Sequence, residues 1–378
     1  MALSSPWVTA AAPCPPGTGE GCVPVGAIVP AHQRLQKPLR GAVDVEARRV
    51  LIGRPWPLPP PPRADPPVRD VLGVSYYVDV DHTVVDRGLE AENNRALAPV
   101  RRFLAEVTRL ADGWLASRPA QPAYAARVVD CLYAWASAGA LLGDVNKQGE
   151  FEREWTTAGL ALAYLEVRDA PGLPEAKLAT IAPWLAALAV AIRPHYDRPE
   201  LASNMNNHAY WAGLAIAAVG VAAGRRDLFD WGIGEGRIGL RQVRADGLLP
   251  LELARRKLAL HYHLFALAPL VMLGELATAN GVLLFEERDG ALGRLADRVI
   301  DGLRDPASFA AAAGASQEIR LPPRGADLAW AEIYFARFRD RRLVDLIAAA
   351  RPLRADRLGG DLTAAFGAPQ LIGASGLE

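Results

Sequence analysis

From about residue 90 onward, apolar residues recur at spacings of three and four, and almost nothing alternates with a period of two. Val100, Phe103, Leu104, Val107, Leu110, Ala111, Trp114 and Leu115 make one stripe, and Val128, Leu132 and Trp135 a second. Leu178, Ile181, Leu185, Leu188 and Ile192 make a third. A stripe of this period is the buried face of a helix. Pro183 lies inside the third and is expected to kink that helix or mark its start. Further helices are expected over 152–166, 209–223, 227–243, 252–280 and 288–303. Short turn signals separate them: Gly143-Asp144, Asp169-Ala170-Pro171-Gly172, Asp246-Gly247 and Asn280-Gly281. The best strand candidate is Val74-Ser75-Tyr76-Tyr77-Val78. Helices joined by short connections, without a fixed-period sequence repeat, give an all-α bundle, solenoid or α/α toroid.

Three segments differ in texture. Residues 1–70 are rich in Pro and Gly, peaking at Pro57-Leu58-Pro59-Pro60-Pro61-Pro62, and read as an extended, partly disordered arm. Residues 71–357 carry the helical pattern and form one large domain. Residues 358–378 read as a flexible tail. With 51% hydrophobic residues the chain can bury a sizeable core. Lys+Arg and Asp+Glu balance at 42 each, which argues against a generic nucleic-acid or membrane-surface binder. No uninterrupted apolar run approaches the ~20 residues that span a bilayer. Residues 1–30 lack the basic start of a signal peptide. Cys14 and Cys22 bracket a Pro/Gly loop that a disulfide could close, whereas Cys131 lies in an apolar helical stretch and reads as a buried thiol. Neither spacing suits zinc.

The segment Asn206-Asn207-His208-Ala209-Tyr210-Trp211 carries the strongest chemical signal. The Ala-rich run behind it is a helix, so Asn206 and Asn207 fall near its N-cap and His208 in its first turn. A helix N-terminus offers spare N–H donors and a partial positive charge, which favours a neutral histidine and an anion beside it. A capped helix with a structural histidine is the plainer alternative. Arg255 and Tyr262 are seven apart, hence on one face of a continuous helix and about 10 Å apart along its axis. A guanidinium near a phenol lowers the pKa of the phenol. A solvated basic face is the alternative there. Ser75-Tyr76-Tyr77, followed by Asp79, Asp81 and His82, mixes rings and polar groups as sugar-binding surfaces do. Asn146-Lys147-Gln148-Gly149 with Trp155, and Asp327 to Tyr334, are further polar and aromatic groups. His261 and His263 point to different sides of a helix and do not make a metal pair.

Together these words resemble the alginate lyases of polysaccharide lyase family 5. The resemblance rests on Asn206 to Ala212, Arg225-Arg226-Asp227-Leu228-Phe229-Asp230-Trp231, and Gly247-Leu248-Leu249-Pro250-Leu251-Glu252-Leu253 with Arg255-Arg256, Ala259 and Tyr262-His263. Asn280-Gly281-Val282, Gly290-Ala291-Leu292, and Ala329-Trp330 with Glu332 and Tyr334 continue it, in consistent order over roughly 75–335. It implies an α/α toroid, an incomplete barrel of antiparallel helix pairs, that cleaves a 1,4-linked polyuronate by β-elimination.

The same resemblance assigns catalytic roles. Asn207 and Arg255 would bind and neutralise the uronate carboxylate, while His208 and Tyr262 would move protons, Tyr262 being the favoured donor to the departing O4. A proton alpha to a carboxylate is weakly acidic because its removal builds a second negative charge, so donors aimed at that carboxylate dominate catalysis. Tyr76, Tyr77, Gln148, Trp155, Asn206, Tyr210, Trp211, Arg256, His263, Trp330 and Tyr334 are the candidates for gripping the sugar chain. No metal and no cofactor is expected. The partner is an acidic polysaccharide rather than nucleic acid or membrane, and the oligomeric state is open. The resemblance also implies a periplasmic or secreted enzyme. Two departures bear on the polymer: family members often carry Ser-Lys-Tyr where this chain has Ser75-Tyr76-Tyr77, and some have Asn at Leu251. Mannuronate-rich alginate is the leading substrate. A lyase on another polyuronate such as glucuronan is the second reading, and a non-catalytic polysaccharide-binding toroid the third. A glycoside hydrolase is weaker, for want of a carboxylate pair in a motif context.

Overall fold

A computed structural model describes residues 39–57, 66–79, 82–198 and 202–367. In chain order its helices are α1 Val45–Ile52, α2 Arg87–Ala116, α3 Pro122–Ser137, α4 Lys147–Val167, α5 Glu175–Tyr196, α6 Asn207–Ala223 and α7 Arg226–Gln242. They continue as α8 Pro250–Leu253, α9 Ala259–Ala279, α10 Glu287–Arg304, α11 Pro306–Ala313, α12 Trp330–Phe338, α13 Val344–Ala350 and α14 Leu362–Phe366. A two-residue antiparallel pair, β1 Arg354–Ala355 with β2 Gly360–Asp361, lies before α14.

Two layers follow from composition. Helices α4, α6 and α9 are buried over most of their length, and α6 is buried at every position but His208. A helix apolar all round can only be an inner one. Helices α3, α7 and α10 leave many positions outside the core and lie against the inner helices. Packing runs inside from α2 to α4, α6, α9 and α12, with α3, α5, α7 and α10 outside. This is the α/α toroid expected from the sequence. The turn signals lie between helices, with Gly172, Gly247 and Gly281 all at positive φ. Helix α5 passes through Pro183, which is therefore not its start.

Four expectations need correction. Residues 45–52, inside the presumed arm, form α1, which packs on α2 and α14. Asp44 caps it, and the Arg49 guanidinium, 4.2 Å over the Trp114 ring, donates to Trp114 O. Residues 358–366, inside the presumed tail, are folded: Leu358, Leu362, Ala364 and Ala365 are buried. Arg354 pairs with Asp112, whose Oδ1 also accepts from Asp361 N at 2.8 Å. With α14 touching both α12 and α2, this segment closes the ring. The expected 252–280 helix is broken. Arg256 has φ of 49°, and the loop at 317–318 takes up backbone groups at the break: Gln317 donates to Arg256 O and Glu318 N to Lys257 O. Finally, Tyr77 makes one isolated bridge to Val85 rather than joining a sheet.

Cys131 is half-buried, and burial pushes its thiol up to about 12. Cys14 and Cys22 lie outside the described residues. Among the described residues two helical stretches, Glu175–Tyr196 and Arg256–Ala279, are long and apolar enough to cross a membrane. The second has 78% of its most apolar 18-residue window buried inside the toroid, where an inner helix needs that composition.

Candidate active site

The N-terminal ends of α4, α6 and α9 open onto one cavity of about 950 Å³. Each start carries the positive end of a helix dipole, so their convergence favours an anion. Ser75, Tyr76, Tyr77 and His82, Arg101 of α2 and residues 355–358 also line the wall. Asn207, His208, Arg255 and Tyr262 all line it, as do Tyr76, Tyr77, Gln148, Trp155, Asn206 and Trp211. The fold brings these ten candidates to one cavity.

Five other candidates do not reach the cavity. Tyr210 and Trp330 are fully buried, and Tyr334 nearly so. His263 is fully buried, with Nε2 accepting from Leu249 N at 3.0 Å and Nδ1 2.7 Å from Ala259 O, so it pins the α8 entry to α9. Arg256 is exposed at the helix break. These residues build or edge the toroid.

Asn206 caps α6 by accepting from His208 N at 3.0 Å. His208 follows with 15% of its side chain exposed, and the Phe151 ring stacks on it at 3.6 Å between centroids. Burial holds the imidazole well below its ordinary pKa, helped by Arg255, His195 and Lys147. That favours the neutral imidazole, able to accept a proton, at physiological pH. Its Nδ1 lies 3.4 Å from Glu154 Oε1.

The Arg255 guanidinium stands 4.6 Å over the Tyr262 ring, although the two do not share a helix. The break before α9 folds them together instead. Tyr262 donates to Tyr77 Oη at 2.9 Å. Its pKa moves opposite to expectation: burial and then Tyr77 push it well above the usual phenol range, and Arg255 only partly opposes them. Tyr262 is a protonated phenol, suited to donate.

Asn207 is wholly buried. Its backbone N–H and its Nδ2 both donate to Glu252, at 2.8 and 3.0 Å, while Oδ1 has no partner. Burial raises the pKa of Glu252, the Asn207 bonds opposing. A half-turn of the amide, which keeps its outline, would present Nδ2 on the other side. Oδ1 would then need a proton from Glu252, which burial favours.

Sequence reasoning missed Glu152, Arg101 and Arg357. Arg101 donates twice to Glu152, at 2.9 and 2.7 Å, and Arg357 lies 3.5 Å from the same carboxylate. Arg357 also stands 3.9 Å over Trp155. Both guanidiniums act electrostatically on Tyr76. Beside Tyr76, where the family pattern has a lysine, the positive charge comes from arginines elsewhere in the chain. No local motif signals this, because Arg101 sits on the polar side of a helix stripe and Arg357 at the last position before the apparent tail.

The profile of the alginate lyase family matches residues 69–309. The chain belongs to that family. A polysaccharide lyase of Stenotrophomonas maltophilia (strain K279a) is 40% identical over 309 residues, covering 81% of this chain and 89% of that protein. An alginate lyase of Cobetia marina is 37% identical over 259 residues, covering 66% and 68%. Among solved structures, alginate lyase A1-III from Sphingomonas species A1 superposes with a TM-score of 0.76 at 24% identity, over 88% of this chain and 97% of that one. A histidine-to-alanine form of A1-III complexed with tetrasaccharide gives 0.77 at 25%, over 88% and 96%. The chain is a polysaccharide lyase with the α/α toroid of its relatives.

Proposed function

We propose that this lyase cleaves a 1,4-linked polyuronate, mannuronate-rich alginate first, by metal-independent β-elimination. The observation that carries the reading is one cavity holding a guanidinium, a neutral imidazole and a protonated phenol at Arg255, His208 and Tyr262. Arg255 binds the substrate carboxylate and stabilises the charge that grows on it when C5 loses its proton. Asn207 adds a second donor once its amide is turned and Glu252 is protonated. His208 takes the C5 proton, the C4–O4 bond breaks as C4=C5 forms, and Tyr262 gives its proton to O4. The proton on His208 then returns to Tyr262 through solvent. Trp155, whose Nε1 has no partner, and the Tyr76–Tyr77 pair, 4.9 Å between ring centroids, offer surfaces for flanking sugars. A polymeric substrate is the reason to expect the enzyme in the periplasm or outside the cell.

The replaced family lysine favours glucuronan as a second reading. The test is the rise in ultraviolet absorbance from the C4=C5 bond on polymannuronate, polyguluronate and glucuronan, each with and without a chelator. The expected result is fastest turnover on polymannuronate, insensitive to chelation. Silence on all three from folded protein overturns the reading.

A further inference from the structure

We propose that Glu154 is a positioning residue for His208, deciding which ring nitrogen is able to accept a proton from substrate. The inference rests on the reading that His208 is the base.

Glu154 lies inside α4 with no exposure to solvent. Its two oxygens serve two different helices. Oε2 accepts from the hydroxyl of Tyr196, the last residue of α5, and Oε1 faces His208 Nδ1 at 3.4 Å. The plane of the imidazole is set separately. Phe151 stacks on it at 3.6 Å and 17°, with Trp155 at 5.8 Å and 20°. Stacking fixes the tilt of the ring but not its rotation within that plane, and Glu154 supplies the missing constraint. With Nδ1 turned to the wall, covalent geometry leaves the Nε2 edge for the cavity.

A neutral imidazole has one donor and one acceptor nitrogen, and the partner of one decides the state of the other. When Glu154 is ionised it accepts from both Tyr196 and Nδ1–H, and Nε2 keeps its lone pair. The ring is then a base. When Glu154 is protonated its proton sits on Oε1, because Oε2 already accepts from Tyr196. Nδ1 becomes the acceptor, Nε2 carries hydrogen, and the ring can no longer take the C5 proton. One proton on Glu154 therefore switches His208 off. Burial raises the pKa of Glu154 well above the usual carboxylate range, which moves the switch toward working pH. Glu150 of the same helix adds to the rise, while Arg153 and, from the ring-closing segment, Arg357 oppose it. Glu235 of α7 acts on Tyr196. Around His208 the charges are Arg255, His195, Lys147 and His82, all disfavouring imidazolium.

The experiment compares full-length wild type, Glu154→Gln, Tyr196→Phe and His208→Ala. It reads kcat, KM and the pH profile of kcat, with side-chain ¹⁵N shifts of His208. In Glu154→Gln the amide carbonyl stays on the buried Tyr196 hydroxyl, so an N–H faces Nδ1 and locks the Nε2–H form. The expected result is a kcat loss of about 10²-fold with KM within about threefold, the size of one general base made unavailable. The ¹⁵N spectrum should show the Nε2–H tautomer at all pH values. Tyr196→Phe removes a bond that favours ionised Glu154, so the acidic limb of the kcat profile should move to higher pH while kcat at alkaline pH survives. It also carries the test should Glu154→Gln fail to fold. An unmoved limb in Tyr196→Phe, or wild-type kcat and tautomer in Glu154→Gln, overturns the inference. His208→Ala separates the two ideas: full activity there refutes His208 as base, whereas the tautomer shift still reads positioning by Glu154.

Discussion

Tyr262→Phe is the substitution from which the structure gives the sharpest numbers. The change removes one hydroxyl and nothing else. The ring is only 8% exposed and lies under the Arg255 guanidinium at 4.6 Å, a contact that phenylalanine keeps. What is lost inside the protein is the hydrogen bond to Tyr77 Oη at 2.9 Å, worth about 1 kcal/mol net. If Tyr262 were only structural, kcat should therefore fall by no more than about fivefold, the rate equivalent of ~1 kcal/mol. If it protonates the departing O4, the loss should be about 10²–10⁴-fold, or ~3–5 kcal/mol in the barrier. The two expectations do not overlap. Initial rates of ultraviolet absorbance at saturating polymer decide between them, with chemical denaturation confirming the small stability change. A substrate whose O4 substituent is a good leaving group adds a second reading. It should recover most of the lost rate, because such a group departs without a proton. A variant within fivefold of wild type would refute the acid role, and a large loss without recovery would point to Tyr262 as base.

Two further outcomes follow from buried carboxylates. Glu252→Gln should keep kcat within about fivefold, since the amide can still accept from Asn207 N–H and donate to its Oδ1. Glu252→Ala leaves that buried N–H unpaired, costing about 1–3 kcal/mol of stability and most of the activity. Equal damage from both would show that a charged Glu252 is needed. Glu235 is pushed up to about 7 by burial, with Asp197 adding, and its Oε2 has no partner. The folded state then holds its proton more tightly than the unfolded chain, so this contribution to stability is present below about pH 4.5 and fades up to about 7. Glu235→Gln should escape that loss. Relative to wild type its unfolding free energy should rise across the window and level off about 1–2 kcal/mol higher, less than ~1.4 kcal/mol per pKa unit because the group is partly solvated. A pH-independent difference in urea denaturation would remove the cause.

The helices and their order were legible because period and burial are one fact in this fold: an apolar stripe has to face something. The N-terminal signals of α6 placed Asn206, Asn207 and His208 correctly, since capping chemistry is local. The same logic failed for Arg255 and Tyr262. They do meet, but through a break that depends on Gln317 and Glu318, some 60 residues away. It failed too for Tyr210, His263, Trp330 and Tyr334, because aromatic and polar types mark a cavity wall and a packed interior alike. The partners of Glu154 and Glu152 were invisible, each arriving from a different helix. Composition misjudged residues 358–366: Gly359 and Gly360 suggested looseness, yet both sit at positive φ in a tight turn against α2 and α4.

The ring-closing segment also sets the order in which the molecule is completed. Asp112 receives Arg354 and Asp361 across sequence separations of 242 and 249 residues, and Arg357 enters the cavity from the same stretch. Contacts so distant in sequence carry a large loop-closure cost and form late. On the ribosome, helices α2 to α9 are made before any residue able to join the ring is available. The cleft therefore takes its final electrostatic form only when residues 354–366 dock, and the growing polypeptide carries an open, incomplete site until then.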